Sequence, residues 1–167
     1  MGIDRILEPE VMDTPEEARD YNAMDHTEVN RVFVDDFLAC EFEATDILDL
    51  GTGTAQIPVE LCRRHQTCRV MAVDASVNML DLARYNIDVA GMLERIQLQK
   101  ANARTLEFAD NMFDAVISNS IIHHIPEPIA CLQEAVRVTR DGGMLFFRDL
   151  LRPESRNQLH QLVKTWT

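Results

Sequence analysis

No run of apolar residues in this chain approaches the ~20 needed to cross a bilayer as a helix, so an integral membrane protein is not expected. The N-terminal stretch MGIDRILEPEVMDTPEE lacks the basic start and apolar middle of a secretory leader, which points to the cytoplasm. Positive charge is scarce: 16 Lys and Arg stand against 28 Asp and Glu, a net charge of −12. A phosphate-coated polyanion would meet a repulsive field, so no nucleic-acid partner is expected, although acidic surfaces are also ordinary among soluble proteins. Cysteine is sparse. Cys40, Cys62, Cys68 and Cys131 form no C-x-x-C pair, and three of the four fall in helical segments among apolar neighbours. Buried free thiols are therefore expected rather than metal ligands or a redox pair. The histidines show no H-E-x-x-H spacing, and no metal is expected. Repeats, low-complexity tracts and Gly/Ser/Pro-rich linkers are missing, so nothing marks an internal domain boundary.

What is present suffices for one well-buried domain over 1–167: of 167 residues, 46% are hydrophobic. The first 44 residues read as a helical annex. Thr14-Pro15-Glu16-Glu17 supplies a capping residue, a proline at the first helical position and a glutamate three after the cap. A second helix is expected from about Asp25 to Cys40, with Val29, Val32, Phe33 and Phe37 on one side. From Thr45 onward, short apolar runs alternate with amphipathic helices, the pattern of β-α-β units around a parallel sheet with helices on both faces. Strands are expected at 46–50, 69–73, 95–99, 113–118 and 143–148. Val77, Leu80, Ala83, Ile87 and Ala90 mark one intervening helix face, and Ile129, Leu132, Ala135 and Val136 another. A last helix is expected after Pro153.

The first strand runs into Asp49-Leu50-Gly51-Thr52-Gly53-Thr54-Ala55, and a helix follows with Ile57, Leu61 and Cys62 on its buried face. Glycines at such a turn permit backbone conformations closed to other residues and let a ligand approach the main chain. Asp74 closes the second strand 21 positions beyond Gly53, where nucleotide-binding α/β folds place a carboxylate for the ribose hydroxyls. The competing role for Asp74 is a helix N-cap, which Ser76 is equally able to fill. The dinucleotide pattern G-x-G-x-x-G fails, because position 56 is Gln56.

The spacing is instead G-x-G-x-A, and D-L-G-T-G-T-A resembles motif I of class I S-adenosylmethionine-dependent methyltransferases, of the type 11 kind. Further segments are similar to that family, in order, from about Thr45 to Asp149. Ala101 to Phe108 (ANARTLEF) resembles its G-D-A-x-x-L-P-F, and Phe113 to Ser118 (FDAVIS) its F-D-x-V-x-S. Asn119 to Pro128 (NSIIHHIPEP) resembles its N-x-x-L-H-H-x-x-D-P, and Val136 to Gly143 (VRVTRDGG) its L-K-P-G-G turn. The resemblance implies a Rossmann-like α/β fold, a doubly wound and mostly parallel sheet, with S-adenosylmethionine as cofactor. Carried over position by position, the cofactor-binding residues are Asp49, Gly51, Thr52, Gly53, Asp74, Ala75, Met79, Asn102, Ala103 and Asn119. Asp49 is placed at the cofactor's amino group and Asn102 at the adenine amino group, where the family has an acid. An amide oxygen still accepts that bond, weakened by ~0.5–1.5 kcal/mol for want of charge.

The implied reaction is methyl transfer to a small-molecule acceptor, chiefly a task of alignment and water exclusion. A general base is needed only where the acceptor arrives protonated. His123 and His124, just past a central strand, are the candidates, with packing or loop hydrogen bonds as their competing role. Tyr21, Met24 and His26 resemble a lid closing over the cofactor, with packing of the annex as the alternative. Family members usually complete the sheet with two further strands, which are missing here. The fifth strand, carrying Met144, Leu145, Phe146 and Phe147, is therefore expected as an open apolar edge: either the chain is a fragment, or the last helix or a second copy in a homo-oligomer covers that edge. The alternative function is a catalytically silent cofactor-binding or interaction module.

Overall fold

The computed structural model describes Leu7, residues 14–151 and residues 153–166. The reading of the first residues as lacking a leader falls, up to Asp13 and apart from Leu7, outside them. Two helices come first. In α1 (Pro15–Ala23) the reciprocal capping box forms: the Thr14 hydroxyl accepts from the Glu17 N–H, and the Glu17 carboxylate accepts from the Thr14 N–H at 3.1 Å. Next comes α2 (Thr27–Leu38). Then β1 (Asp46–Leu50), α3 (Gln56–Arg64), β2 (Arg69–Asp74), α4 (Val77–Val89) and β3 (Ile96–Lys100) alternate. They are followed by β4 (Phe113–Asn119), α5 (Pro128–Val138), β5 (Thr139–Arg148) and α6 (Arg156–Trp166).

The five strands form one parallel sheet in the order β3-β2-β1-β4-β5. The chain winds outward from β1 to β3, then returns to β4 on the other side of β1. The junction of β1 and β4 is thus the switch point at whose carboxyl end open α/β sheets bind ligands. There the Ser118 hydroxyl donates to the Leu50 carbonyl at 2.9 Å, joining the two strand ends. Side chains alternate across the sheet. Ile47, Val70, Ala72, Ala115 and Ile117 face α2, α3 and α4, while Leu48, Leu50, Val73 and Val116 face α5.

The helix faces differ from the expected ones. In α2 the buried stripe is Phe33, Val34 and Phe37, and Val29 and Val32 lie exposed on its flank. The aromatic rings set the rotation: Phe33 and Phe37 both meet Phe146 edge to face, at 5.1 and 5.5 Å. In α4 the stripe is Met79, Ala83 and Ile87, with Val77 exposed and Leu80 and Ala90 half-buried. The departure is largest in α5, where the small residues Cys131 and Ala135 with Val138 face the sheet and Ile129, Leu132 and Val136 face outward. Small side chains let that helix lie close to the strands, and bulk is turned away.

β5 begins at Thr139, earlier than expected, because the chain bulges before joining the β4 register at Met144. Gly143 is required there, since a Cβ would lie 2.8 Å from both the Arg140 and Asp114 carbonyl oxygens. β5 is an edge strand, and Leu145 on it is exposed. In the terminal helix, residues 156–161 are all exposed. Cys40 also departs from expectation. It is exposed because it lies beyond the end of α2, whereas Cys62, Cys68 and Cys131 are buried. Among the described residues, no helix is long and apolar enough to cross a membrane.

Candidate functional site

The turn after β1 is held by its neighbour strand: the Gly51 and Thr52 N–H groups both donate to the Val73 carbonyl at 2.9 Å. Gly51 and Gly53 sit at φ 70 and 55, and Ala55, the residue before α3, is left-handed at φ 60 without being glycine. Ser120, just past the end of β4, is likewise at φ 62. Non-glycine residues in this region carry backbone strain, which concentrates at functional sites. Gly51 has a second constraint, because a Cβ there would lie 2.1 Å from Cγ2 of Ile121.

Asp49 sits beneath the turn, 2% exposed. Burial pushes its carboxyl up to about 7, and the nearby Asp74 charge adds to the effect. The Thr52 hydroxyl offsets part of this, but no well-formed hydrogen bond reaches Asp49 Oδ2, nor the buried hydroxyls of Thr52 and Thr54. Such buried acceptors are rare unless a ligand completes them. Asp74 is half-buried at the end of β2; burial raises its pKa, while backbone N–H groups of Ser76, Gly53 and Ala75 act against the rise. Its Oδ2 accepts from Gly53 N–H at 2.8 Å and its Oδ1 from Ser76 N–H at 2.9 Å. The N-cap of α4 is Ser76, whose hydroxyl accepts from the Met79 N–H. Asp74 is therefore spared that role.

Two small cavities flank the turn. One, about 20 Å³, is lined by Tyr21, Asn30, Asp49, Gly51, Thr52, Thr54, Gln56, Ile57 and Asn119. The other, about 90 Å³, is lined by Gly51, Val73, Asp74, Ala75, Ala101, Asn102, Ala103, Ile121, His124 and Ile125. Nine of the ten expected cofactor residues are thus brought to the turn: Asp49, Gly51, Thr52 and Asn119 on one side, Asp74, Ala75, Asn102 and Ala103 on the other, and Gly53 between. Met79 is not among the lining residues; it is buried in α4 and serves the cap. Asn102 also caps its own loop, its amide oxygen accepting from the Arg104 N–H at 2.9 Å.

Of the three annex residues, Tyr21 reaches the turn. A Cβ on Gly53 would lie 3.6 Å from its ring, and burial together with the Asp74 and Asp49 charges raises its phenol pKa. His26 stacks behind it at 4.6 Å, and with Met24 it lines a separate groove between α1, α2, α3 and α4. The two histidines after β4 stack on each other at 4.0 Å but serve different sides. His124 lines the larger cavity, whereas His123 Nδ1 lies 2.7 Å from Oδ1 of Asp149, just past β5. The other Asp149 oxygen accepts from the Ile122 N–H at 2.6 Å. Asp149, Thr54, Asn30, Gln56 and Ile121 were not singled out from the sequence. Only Gln56 had a signal there, as the residue that breaks the dinucleotide pattern. Among the described residues, no group of three His, Cys, Asp or Glu is placed to hold a metal.

A bare turn at the switch point, a carboxylate closing the next strand and a buried acceptor beneath it define a nucleoside-binding protein of the doubly wound α/β class. Residues 48–147 match the family described as the methyltransferase domain, and the chain belongs to that family, whose methyl donor is S-adenosylmethionine. The chain is similar to the release factor glutamine methyltransferase of Chlorobaculum tepidum, 42% identical over 99 residues covering 57% of this chain and 33% of that protein. It is also similar to the demethylmenaquinone methyltransferase of Desulfitobacterium hafniense, 32% identical over 64% of this chain and 43% of that one. Among solved structures, a Methanococcus maripaludis protein described as an S-adenosyl-L-methionine-dependent methyltransferase shares the fold. Its TM-score is 0.77 at 17% identity, over 98% of this chain and 74% of that chain. The chain spans a third to just under half the length of the curated relatives it matches.

Proposed function

We propose that this chain binds S-adenosylmethionine across the β1/β4 switch point and transfers its methyl group to a small-molecule acceptor that arrives carrying a proton. The observation that carries the reading is Asp49, a buried carboxylate oxygen without a partner directly under a glycine turn. An ammonium group satisfies it and removes the cost of burying its charge. The fit extends to Thr52 and Thr54, whose hydroxyls also lack partners, and to Asp74, which keeps lone pairs for ribose hydroxyls. Gly51 supplies main chain without a Cβ. Ala103 and Asn102 present backbone N–H and amide oxygen to the adenine.

When bound, the cofactor supplies a methyl group activated by its own sulfonium charge. The chain's part is to align and to exclude water. Tyr21 and Ile121 lie over Gly53 and Gly51 and move aside for the ligand, then close on it. His123 is the general base in this reading: its Nδ1 lies 2.7 Å from Asp149 Oδ1, a contact that orients the ring for proton transfer from the acceptor. Asp149 is a positioning residue. His124, on the cavity wall, packs against the nucleoside.

The same reading treats residues 1–167 as one domain with annex 1–44 and core 45–167, supported by the Phe33, Phe37 and Phe146 cluster that joins them. It assigns a cytoplasmic protein whose charge of −12 disfavours nucleic acid, with a second copy covering the exposed β5 edge. Calorimetry with S-adenosylhomocysteine and NAD, followed by transfer of radiolabelled methyl to phenols, naphthoquinols, amines and a glutamine-bearing peptide, tests it. Heat with S-adenosylhomocysteine and labelling of a small acceptor are expected. Binding without labelling of any acceptor favours the silent module, and heat with NAD alone overturns the reading.

A further inference from the structure

At the opposite end of the sheet from the cofactor crevice, two thiols far from any role in methyl transfer meet. Cys62 lies in the last turn of α3 and Cys68 immediately before β2, and the five residues between them turn the chain back. Both are buried, at 1% and 0% exposure, and their sulfurs are 3.7 Å apart. A disulfide needs ~2.05 Å, so a closure of less than 2 Å separates contact from bond. Arg95, preceding β3, reaches the backbone of both cysteines and the sulfur of one. Its guanidinium donates to the carbonyl oxygens of Cys62, His65 and Cys68 at 2.6, 2.5 and 2.8 Å, and lies 3.5 Å from the Cys68 sulfur. The Cys62 and His65 carbonyls belong to the negative end of α3, which the arginine caps. The cation is thereby held beside one sulfur by bonds that do not depend on the thiol's state.

We infer that Cys62 and Cys68 form a redox-active dithiol that a small peroxide converts to a disulfide, with Cys68 as the attacking thiol and Cys62 as the resolving one. The two sulfurs are electrostatically unequal. Cys68 is held below the ordinary thiol range, chiefly by the hydrogen bond from Cys62, with Arg95 acting in the same direction against burial. Cys62 is pushed up by that same bond and by burial. A depressed pKa beside a cation, with a second thiol in reach, is what selective thiol oxidation requires. The Cys68 thiolate attacks one peroxide oxygen; the O–O bond breaks, the other oxygen leaves as water after protonation, and Cys68 carries a sulfenic acid. The Cys62 sulfur then attacks the Cys68 sulfur as the S–O bond breaks, and the hydroxide takes the Cys62 proton as a second water. Two thiols and one hydrogen peroxide thus give one disulfide and two waters. Burial restricts the oxidant to something near water in size; bulky disulfides do not enter.

The test uses the full chain in its folded state, treated with hydrogen peroxide, blocked with N-ethylmaleimide under denaturing conditions and digested with trypsin. Arg63 and Arg64 separate the two cysteines into different peptides, so a bond between them is read as a joined pair that dithiothreitol splits. That joined pair, lighter by two hydrogens than its reduced parts, is the expected product. Exposed Cys40 reports that oxidant was present. In Cys62→Ser, Cys68 is expected to accumulate a sulfenic acid that dimedone traps when added with the denaturant, whereas in Cys68→Ser, Cys62 is expected to remain a thiol over the same exposure. If Cys62 and Cys68 of the unmutated chain are both still blocked by maleimide when Cys40 is fully oxidised, or bond to Cys40 or Cys131 rather than to each other, the inference is wrong. The unmutated chain decides this even where a serine variant fails to fold.

Discussion

Replacing Asp49 by asparagine separates what the carboxylate does for the fold from what it does for the ligand, because the two effects have opposite signs. With its pKa at about 7 in the folded chain against 3.8 unfolded, Asp49 holds a proton between those values that the unfolded chain has released. Its contribution to stability is present in full below the unfolded value and is lost as pH rises through the folded one, at ~1.4 kcal/mol per pH unit for one proton. The interval between the two values sets a ceiling of ~4 kcal/mol on that loss. An asparagine has no proton to lose, and its amide N–H is placed to donate to the unpartnered Thr52 or Thr54 hydroxyl. Asp49→Asn is therefore expected to match the unmutated chain near pH 4 and to exceed it by about 2–4 kcal/mol at pH 8. Asp74, also raised, contributes to the slope of both proteins and cancels in the difference. Loss of the charged acceptor is expected to weaken S-adenosylhomocysteine about 10- to 100-fold, from a charged hydrogen bond of ~1.5–3 kcal/mol. Urea unfolding at pH 4 to 8, paired with calorimetry at pH 8, measures both. Parallel stability curves for the two proteins would refute the account of Asp49 as a charge buried in wait of a cation.

Gly51→Ala is expected to lose more stability than Gly91→Ala: both sit near φ 70, costing ~1–2 kcal/mol, but a Cβ at 91 has nothing within 4 Å while one at 51 displaces Ile121. Equal thermal melts of the two variants would show that Ile121 yields freely. Asp74→Ala removes charged acceptors and is expected to weaken adenosine binding by at least ~1 kcal/mol; unchanged affinity in titration would mean that the ribose lies elsewhere. Asp149→Asn is expected to slow turnover of a protonated acceptor about 10- to 100-fold, within the range of general-base catalysis, while sparing an acceptor already ionised and leaving S-adenosylhomocysteine affinity unchanged. Equal slowing of both acceptors would deny the positioning role. Phe146→Ala opens the edge-to-face cluster with Phe33 and Phe37 and is expected to cost about 2–3 kcal/mol in urea unfolding, at or below the low end for Phe truncation because the ring is only half-buried.

Much of the crevice was legible along the chain because its signals are local. A strand, two glycines and an acid 21 positions on are enough to place Gly51, Gly53 and Asp74 at one edge, since a β-α-β unit has only one right-handed way to close. Asp49, Asn102 and Ala103 followed from the resemblance, and the fold brings them to the walls of the two cavities beside the turn. Met79 followed from it too, and is buried in α4 with its amide serving Ser76. The helix faces of α2 and α5 were misread for one reason: apolar character was counted, and size was not. Phe33 and Phe37 outweigh Val29 and Val32, and the compact Cys131 and Ala135 displace Ile129 and Leu132, because a helix settles where its side chains let it approach.

The order of the elements, the switch point and the chemistry of the turn belong to the sequence by itself, since hydrophobic period and turn residues act over a few positions. Pairings of side chains remote along the chain belong to the tertiary structure. Asp149 joins His123 across 26 positions, Arg95 reaches the Cys68 sulfur across 27 and the Cys62 carbonyl across 33, and Tyr21 crosses from the annex to Gly53. No periodicity encodes these meetings. They depend on how closely layers pack and on which rotamers survive that packing, and both are settled only when the whole sheet and its helices are in place.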